Sequence, residues 1–161
     1  MAPGTTLSTF FMYYFAYGSN MDDRQMKTRC PSARFLTVAR LPGYQLAFTI
    51  FSSKRNCGCA DIVADPSGTV FGTLYKISQE DIARLDVFEG VPGGHYRRIT
   101  LNVILEDGRR ISTEAYVVAR KNRTPIPPSK QYIGLLISAA VKHSFPKQYR
   151  IFLESIETAG H

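Results

Sequence analysis

The apolar positions of this chain fall into two regimes. Up to about residue 118 they come in short runs bounded by Gly, Pro, Ser or Asn, the mark of strands; after Ser129 they recur at helical spacing. The first run, Met12 to Tyr17, is aromatic-rich and too short for a helix, so it reads as a buried strand. It breaks at Gly18, where Ser19 and Asn20 are placed to cap a helix in MDDRQMKTRC that stops before Cys30-Pro31. ARFLTVARL and GYQLAFTIF read as two strands with a turn at Pro42-Gly43. SSKRNCGCA is a polar, glycine-punctuated connection, and Asp61 to Ala64, DPSG and TVFGTLYKI read as strand, type I turn and strand. Ser78 caps the helix SQEDIARLDVFEG, whose Ile82, Leu85 and Phe88 share an apolar side and which ends at Gly90. A hairpin at Glu106-Asp107-Gly108 joins RRITLNVIL to RRISTEAYVV. Ser129 caps KQYIGLLISAAVKH, and Pro146 opens PKQYRIFLESIE, with Tyr149, Phe152, Leu153 and Ile156 on one face. Six or seven strands followed by mostly late helices predict an α+β domain around a mixed or barrel-like sheet.

At 161 residues the chain has the size of one domain, spanning 1–161, with residues 1–11 expected to be disordered. No run approaches the roughly 20 apolar residues of a membrane span, so no membrane partner is expected. The opening MAPGTTLSTFFM lacks the basic and apolar regions of a signal peptide, and three cysteines fit free thiols in a reducing compartment, so a cytoplasmic location is expected. The formal net charge is +7, yet the basic residues are scattered from Arg24 to Arg150 in short doublets. That is the pattern of a solvated face, and with no nucleic-acid-binding motif in sight no nucleic-acid partner is expected. Cys57 and Cys59 form a CxC, but Cys30, His95, His143 and His161 have no finger-like spacing to complete a site, so no metal is expected.

Two places carry candidate chemistry. A strand running into Gly18-Ser19-Asn20 points backbone N–H groups at one spot, which suits an anion or an oxygen becoming one. The same arrangement is also ordinary architecture in α/β proteins. Glu89 follows an apolar residue, closes a helix and stands among Gly90, Gly93 and Gly94. A carboxylate held in a partly apolar pocket has its pKa raised and accepts protons well at neutral pH, whereas a surface glutamate before a loop does neither.

FAYGSNM, LDVFEG, GGHYRR, PPSKQYIGLLISAA and FPKQYRIFLESIE follow one another in this order between Tyr13 and Glu157. Together they resemble the γ-glutamylcyclotransferase family, including its AIG2-like and γ-glutamylamine cyclotransferase branches. The resemblance implies a small mixed β-barrel decorated with helices, no cofactor, and conversion of a γ-glutamyl amine or γ-glutamyl amino acid to 5-oxoproline and the free amine. By position it implies Glu89 as the acid-base residue, Tyr17, Gly18, Ser19 and Asn20 as the substrate and oxyanion loop, and Tyr96 and Tyr132 as tyrosines near the pocket. Tyr96 and Tyr132 read equally well as core residues bonding only their hydroxyls. SSKRNCGCA matches no word of the family, so the choice among γ-glutamyl substrates stays open. The expected partner is a small γ-glutamyl molecule, and the chain is expected to be a monomer or homodimer. The alternative is a non-catalytic module that binds a γ-glutamyl or acidic metabolite.

Overall fold

The computed structural model describes residues 10–160. Five strands, β1 (Phe11–Ala16), β2 (Arg34–Ser52), β3 (Cys57–Ser78), β4 (Tyr96–Leu105) and β5 (Arg110–Val118), close into a barrel in the order β1-β3-β2-β4-β5. The ladders are antiparallel except where β1 meets β5 in parallel at Tyr14 and Glu114, so the sheet is mixed as expected. Four helices surround it: α1 (Asp23–Arg29), α2 (Gln79–Phe88), α3 (Lys130–Lys142) and α4 (Lys147–Glu154). The chain is therefore an α+β barrel. Among the described residues no helix is long and apolar enough to cross a membrane.

Among the described residues there are five strands rather than six or seven, because two turn signals fall opposite each other inside one long hairpin. Pro42 pairs with Thr69 and Tyr44 with Ala64, so Gly43 alone faces residues 65–68. The DPSG segment does make its local turn, with the Ser67 N–H and hydroxyl both donating to Asp65 Oδ1. The ladder nevertheless resumes on both sides, giving a bulge that bends β2 and β3 together where two ends were expected. A second difference lies at Phe88, which is 54% exposed while Ile82 and Leu85 are buried. The expected disorder of residues 1–11 covers 1–9, outside the described residues, and two that are described: Phe11 begins β1, and the Phe10 carbonyl accepts from Gln79 N–H.

Phe15, Leu41, Val70, Leu74, Ile77 and Val103 fill the barrel, and Ile82, Leu85 and Leu136 bring α2 and α3 onto it. Phe71, Phe145 and Tyr149 cluster with ring centroids 5.2 to 6.2 Å apart and fasten α4. Ser78 and Ser129 cap α2 and α3 as the sequence predicts, accepting from Asp81 and Tyr132 N–H.

Candidate active site

β1 delivers the first part of the site. Its buried end passes through Tyr17 to Gly18 and a 3-10 turn, Ser19–Met21. Asp22, rather than Ser19 or Asn20, caps α1, its carboxylate accepting from Gln25 N–H at 3.1 Å. That inserted turn frees Ser19 and Asn20 for other partners. The N–H groups of Ser19 and Asn20 precede the first hydrogen bond of the turn, Met21 N–H to Gly18 O, and so have no acceptor within it. Gly18 has φ −115°, which any residue adopts. A Cβ there would be crowded, 3.2 Å from Ala60 Cβ and 3.4 Å from the Tyr132 hydroxyl, so one of these neighbours would have to give by a few tenths of an ångström.

Helix α2 delivers Glu89. The Glu89 N–H bonds Leu85 O as the helix ends, then Gly90, at φ +69°, sends its N–H to Val87 O while Val91 N–H reaches back to Asp86 O. This left-handed turn stops the helix and leaves Glu89 facing inward. Its side chain is 16% exposed. Oε1 accepts from Asn20 Nδ2 at 2.7 Å, and Arg29 Nη1 stands 3.9 Å away. Burial raises the Glu89 pKa above the ordinary glutamate value, against the opposing pull of Arg29, the Asn20 hydrogen bond and Arg55.

These groups open onto a cavity of about 400 Å³. It brings together every residue singled out in the sequence: Tyr17, Gly18, Ser19, Asn20, Glu89, Tyr96 and Tyr132. Tyr96 and Tyr132 combine the two roles open to them. The Tyr96 hydroxyl donates to Ala60 O at 2.7 Å and the Tyr132 hydroxyl accepts from Ala60 N–H at 3.0 Å, so both backbone groups of one β3 residue are tied. Tyr17 donates to Tyr116 O. Tyr14 accepts from Asn20 Nδ2 at 2.9 Å. Tyr14 thus spends an acceptor and keeps a hydroxyl proton to donate, while the Tyr132 proton is directed to the Cys59 sulfur. Burial pushes both phenols well above the usual tyrosine range, so they stay protonated.

Sequence reasoning missed the residues that complete the wall. Arg29 ends α1, Arg55 stands on the β2–β3 connection, and Tyr14, Phe88 and Tyr116 line the cavity. The Arg29 guanidinium lies 5.2 Å from the Phe88 ring centre and that of Arg55 5.1 Å from the Tyr132 ring centre. The one signal for Arg55 was the basic pair inside SSKRNCGCA. Cys57 and Cys59 are free and buried, and burial pushes the Cys59 thiol up to about 11. Among the described residues no three of His, Cys, Asp and Glu gather as a metal site would require.

Fold and site together define a small α+β barrel with a carboxylate at the cavity wall, a turn whose first N–H groups have no acceptor within it, and two arginines beside them. The model of the AIG2-like family matches residues 69–153. The gamma-glutamylcyclotransferases of Mus musculus and Homo sapiens are each 34% identical over 148 residues, covering 89% of this chain and 78% of theirs. A solved structure of a gamma-glutamyl cyclotransferase superposes with a TM-score of 0.89 at 31% identity, covering 94% of this chain and 91% of its own. The chain belongs to the γ-glutamylcyclotransferase family of enzymes.

Proposed function

We propose that this enzyme converts a γ-glutamyl amine or γ-glutamyl amino acid to 5-oxoproline and the free amine, with Glu89 moving the proton. The substrate's α-nitrogen attacks its own γ-carbonyl carbon. A carbon–nitrogen bond closes the five-membered ring, and the original amide carbon–nitrogen bond breaks. The nucleophile is tethered, so the entropy cost of bringing it to the carbonyl is largely met by the substrate itself. It must, however, be deprotonated, because an α-ammonium has a pKa of about 8. Glu89 takes that proton, the attacking nitrogen sheds a second as the ring closes, and the departing nitrogen receives one to leave as the amine and the other to become ammonium, so no water is consumed.

The observation that carries this reading is the Glu89 carboxyl, buried at the cavity wall with Oε1 held by Asn20 and its pKa raised by burial. A base tuned upward exchanges protons with an α-ammonium at lower cost than an ordinary carboxylate does. The Ser19 and Asn20 N–H groups suit the carbonyl oxygen as it gains charge, an interaction worth about 3 to 4 kcal/mol per donor in comparable sites. The spare proton of Tyr14 suits a remaining polar atom of the glutamyl group. Ser19 is not required as a nucleophile.

The test is incubation with a panel of γ-glutamyl amino acids and γ-glutamyl amines, with 5-oxoproline followed by mass spectrometry. Stoichiometric 5-oxoproline and free amine are expected. Saturable binding without product would replace this reading with a non-catalytic binding module, and neither binding nor product across the panel would overturn both. Acylation of the substrate α-nitrogen should abolish turnover, because it removes the attacking group.

A further inference from the structure

Three hydrogen bonds run in one direction from the cavity rim to its wall. Arg55 Nη2 donates to Gln25 Oε1 at 2.8 Å, Gln25 Nε2 donates to Asn20 Oδ1 at 2.9 Å, and Asn20 Nδ2 donates to Glu89 Oε1 at 2.7 Å. The two ends fix that direction. A guanidinium only donates and a carboxylate only accepts, so neither amide between them can turn over without setting like groups face to face. The branches agree. Gln25 Nε2 also donates to Ser19 Oγ at 2.8 Å, Arg29 Nη1 also donates to Asn20 Oδ1 at 3.1 Å, and Asn20 Nδ2 also donates to Tyr14. Asn20 therefore uses its amide on both sides, at a site only 3% exposed.

Arg55 stands on the connection between β2 and β3, Gln25 on α1, Asn20 in the turn after β1 and Glu89 at the end of α2. Four separate segments meet in one polarised chain, and chains of this kind strengthen bond by bond. We propose that Gln25, anchored by Arg55, is a positioning residue for the reaction: it holds the Asn20 amide with its nitrogen toward Glu89 and so fixes Oε1, leaving Oε2 as the atom that exchanges the proton. The proposal rests on the role given to Glu89 above. It also gives Arg55, within SSKRNCGCA, a purpose at the site.

A merely structural tie between α1 and the β2–β3 connection would leave the Glu89 proton equilibrium alone, whereas a positioning residue would not. The Asn20 hydrogen bond favours the ionised form of Glu89. Without Gln25 the Asn20 oxygen is held by Arg29 alone, at 3.1 Å, so the amide turns its oxygen toward Glu89 more often, and that orientation favours the protonated form. The other groups facing Glu89 are Arg29 of α1 with the Cys30 thiol beyond it, Arg55, Tyr14 of β1 and Tyr17 after it. From the remaining elements come His95 and Tyr96 at the start of β4, Tyr116 of β5 and Tyr132 of α3. Gln25→Met changes none of these charges. It keeps the length of the side chain and removes its polar atoms.

The experiment is a carbon-13 NMR titration of the glutamate side-chain carboxyls in wild type and Gln25→Met, with Glu89→Gln identifying the Glu89 signal. The Glu89 midpoint is expected to move upward in Gln25→Met, and the acid limb of kcat to move with it. Turnover should fall on the order of 10-fold, with KM changed less. Should Gln25→Met fail to melt cooperatively, Gln25→Asn serves, since it keeps the amide but is one methylene too short to reach both Asn20 and Arg55. An unchanged Glu89 midpoint in a folded variant overturns the proposal. The titration needs no turnover, so it decides the role of Gln25 even if wild type makes no 5-oxoproline, a result that would instead overturn the proposed function.

Discussion

Glu89→Gln keeps the shape of the side chain and a carbonyl oxygen for Asn20 while removing the proton acceptor. Turnover should fall by about 10²- to 10⁴-fold with little change in substrate binding, read from kcat and KM on the best γ-glutamyl substrate. The wild-type rate should rise with pH as Glu89 ionises, on a limb displaced above the ordinary carboxylate range, and the variant should lose that limb. The same shift has a sign in stability. A carboxyl whose folded pKa is raised stabilises the fold fully below its unfolded pKa, and that contribution is lost as pH rises through the folded value. Glu89→Gln should therefore melt higher than wild type at neutral pH, and the advantage should vanish in acid; a variant that melts lower at neutral pH would mean that Arg29 and Asn20 outweigh the burial. At this scale the local pattern left Glu89 open between a pocket carboxylate and a surface glutamate, and it was the family resemblance that singled it out; it lines the cavity. Gln25 and Arg29 were not legible, and the basic pair in SSKRNCGCA did not tell where Arg55 would go, since their partners lie on other segments.

The end of α2 is the element on which the site depends most. Gly90 has φ +69°, and a Cβ there would lie 2.6 Å from His95 Nδ1. Gly90→Ala should cost about 1 to 2 kcal/mol for the left-handed backbone alone, and more for the contact with His95, measured by urea unfolding. It should also lower turnover, because the same turn aims Glu89. Loss of stability with full activity would show that the aim of Glu89 survives a distorted turn. Helix starts at Ser78 and Ser129 were readable because a cap and the N–H it serves are three residues apart. Pro42-Gly43 and DPSG were misread as strand ends for a related reason: turn chemistry is local, while the ladder that carries a strand past a bulge is set by pairing with a distant segment. The cap of α1 shifted to Asp22 because Asn20 is drawn into the hydrogen bonds around Glu89.

Across the whole molecule, the strands are joined by more than their ladders. Asp61 of β3 is fully buried, accepting from the Thr49 hydroxyl of β2 at 2.7 Å, from Val118 N–H of β5 at 3.0 Å and from Lys121 Nζ at 2.6 Å. Asp61→Asn keeps the volume but leaves one of these donors without an acceptor, so it should destabilise the barrel by about 2 to 4 kcal/mol, read from the urea midpoint. An unchanged midpoint would mean that Lys121, which is 40% exposed, and water take over the bonding. The barrel was legible in outline from the strand-rich first two thirds and the late helices, but its closure was not, because β1 and β5 meet at Tyr14 and Glu114 across the length of the fold. The tie on Ala60 holds one β3 residue to two distant elements. Its N–H ends on the Tyr132 hydroxyl of α3 and its carbonyl on that of Tyr96 at the start of β4. The deuterium uptake of that single amide therefore times how often α3 lifts from the barrel, and with it how often the cavity wall comes apart.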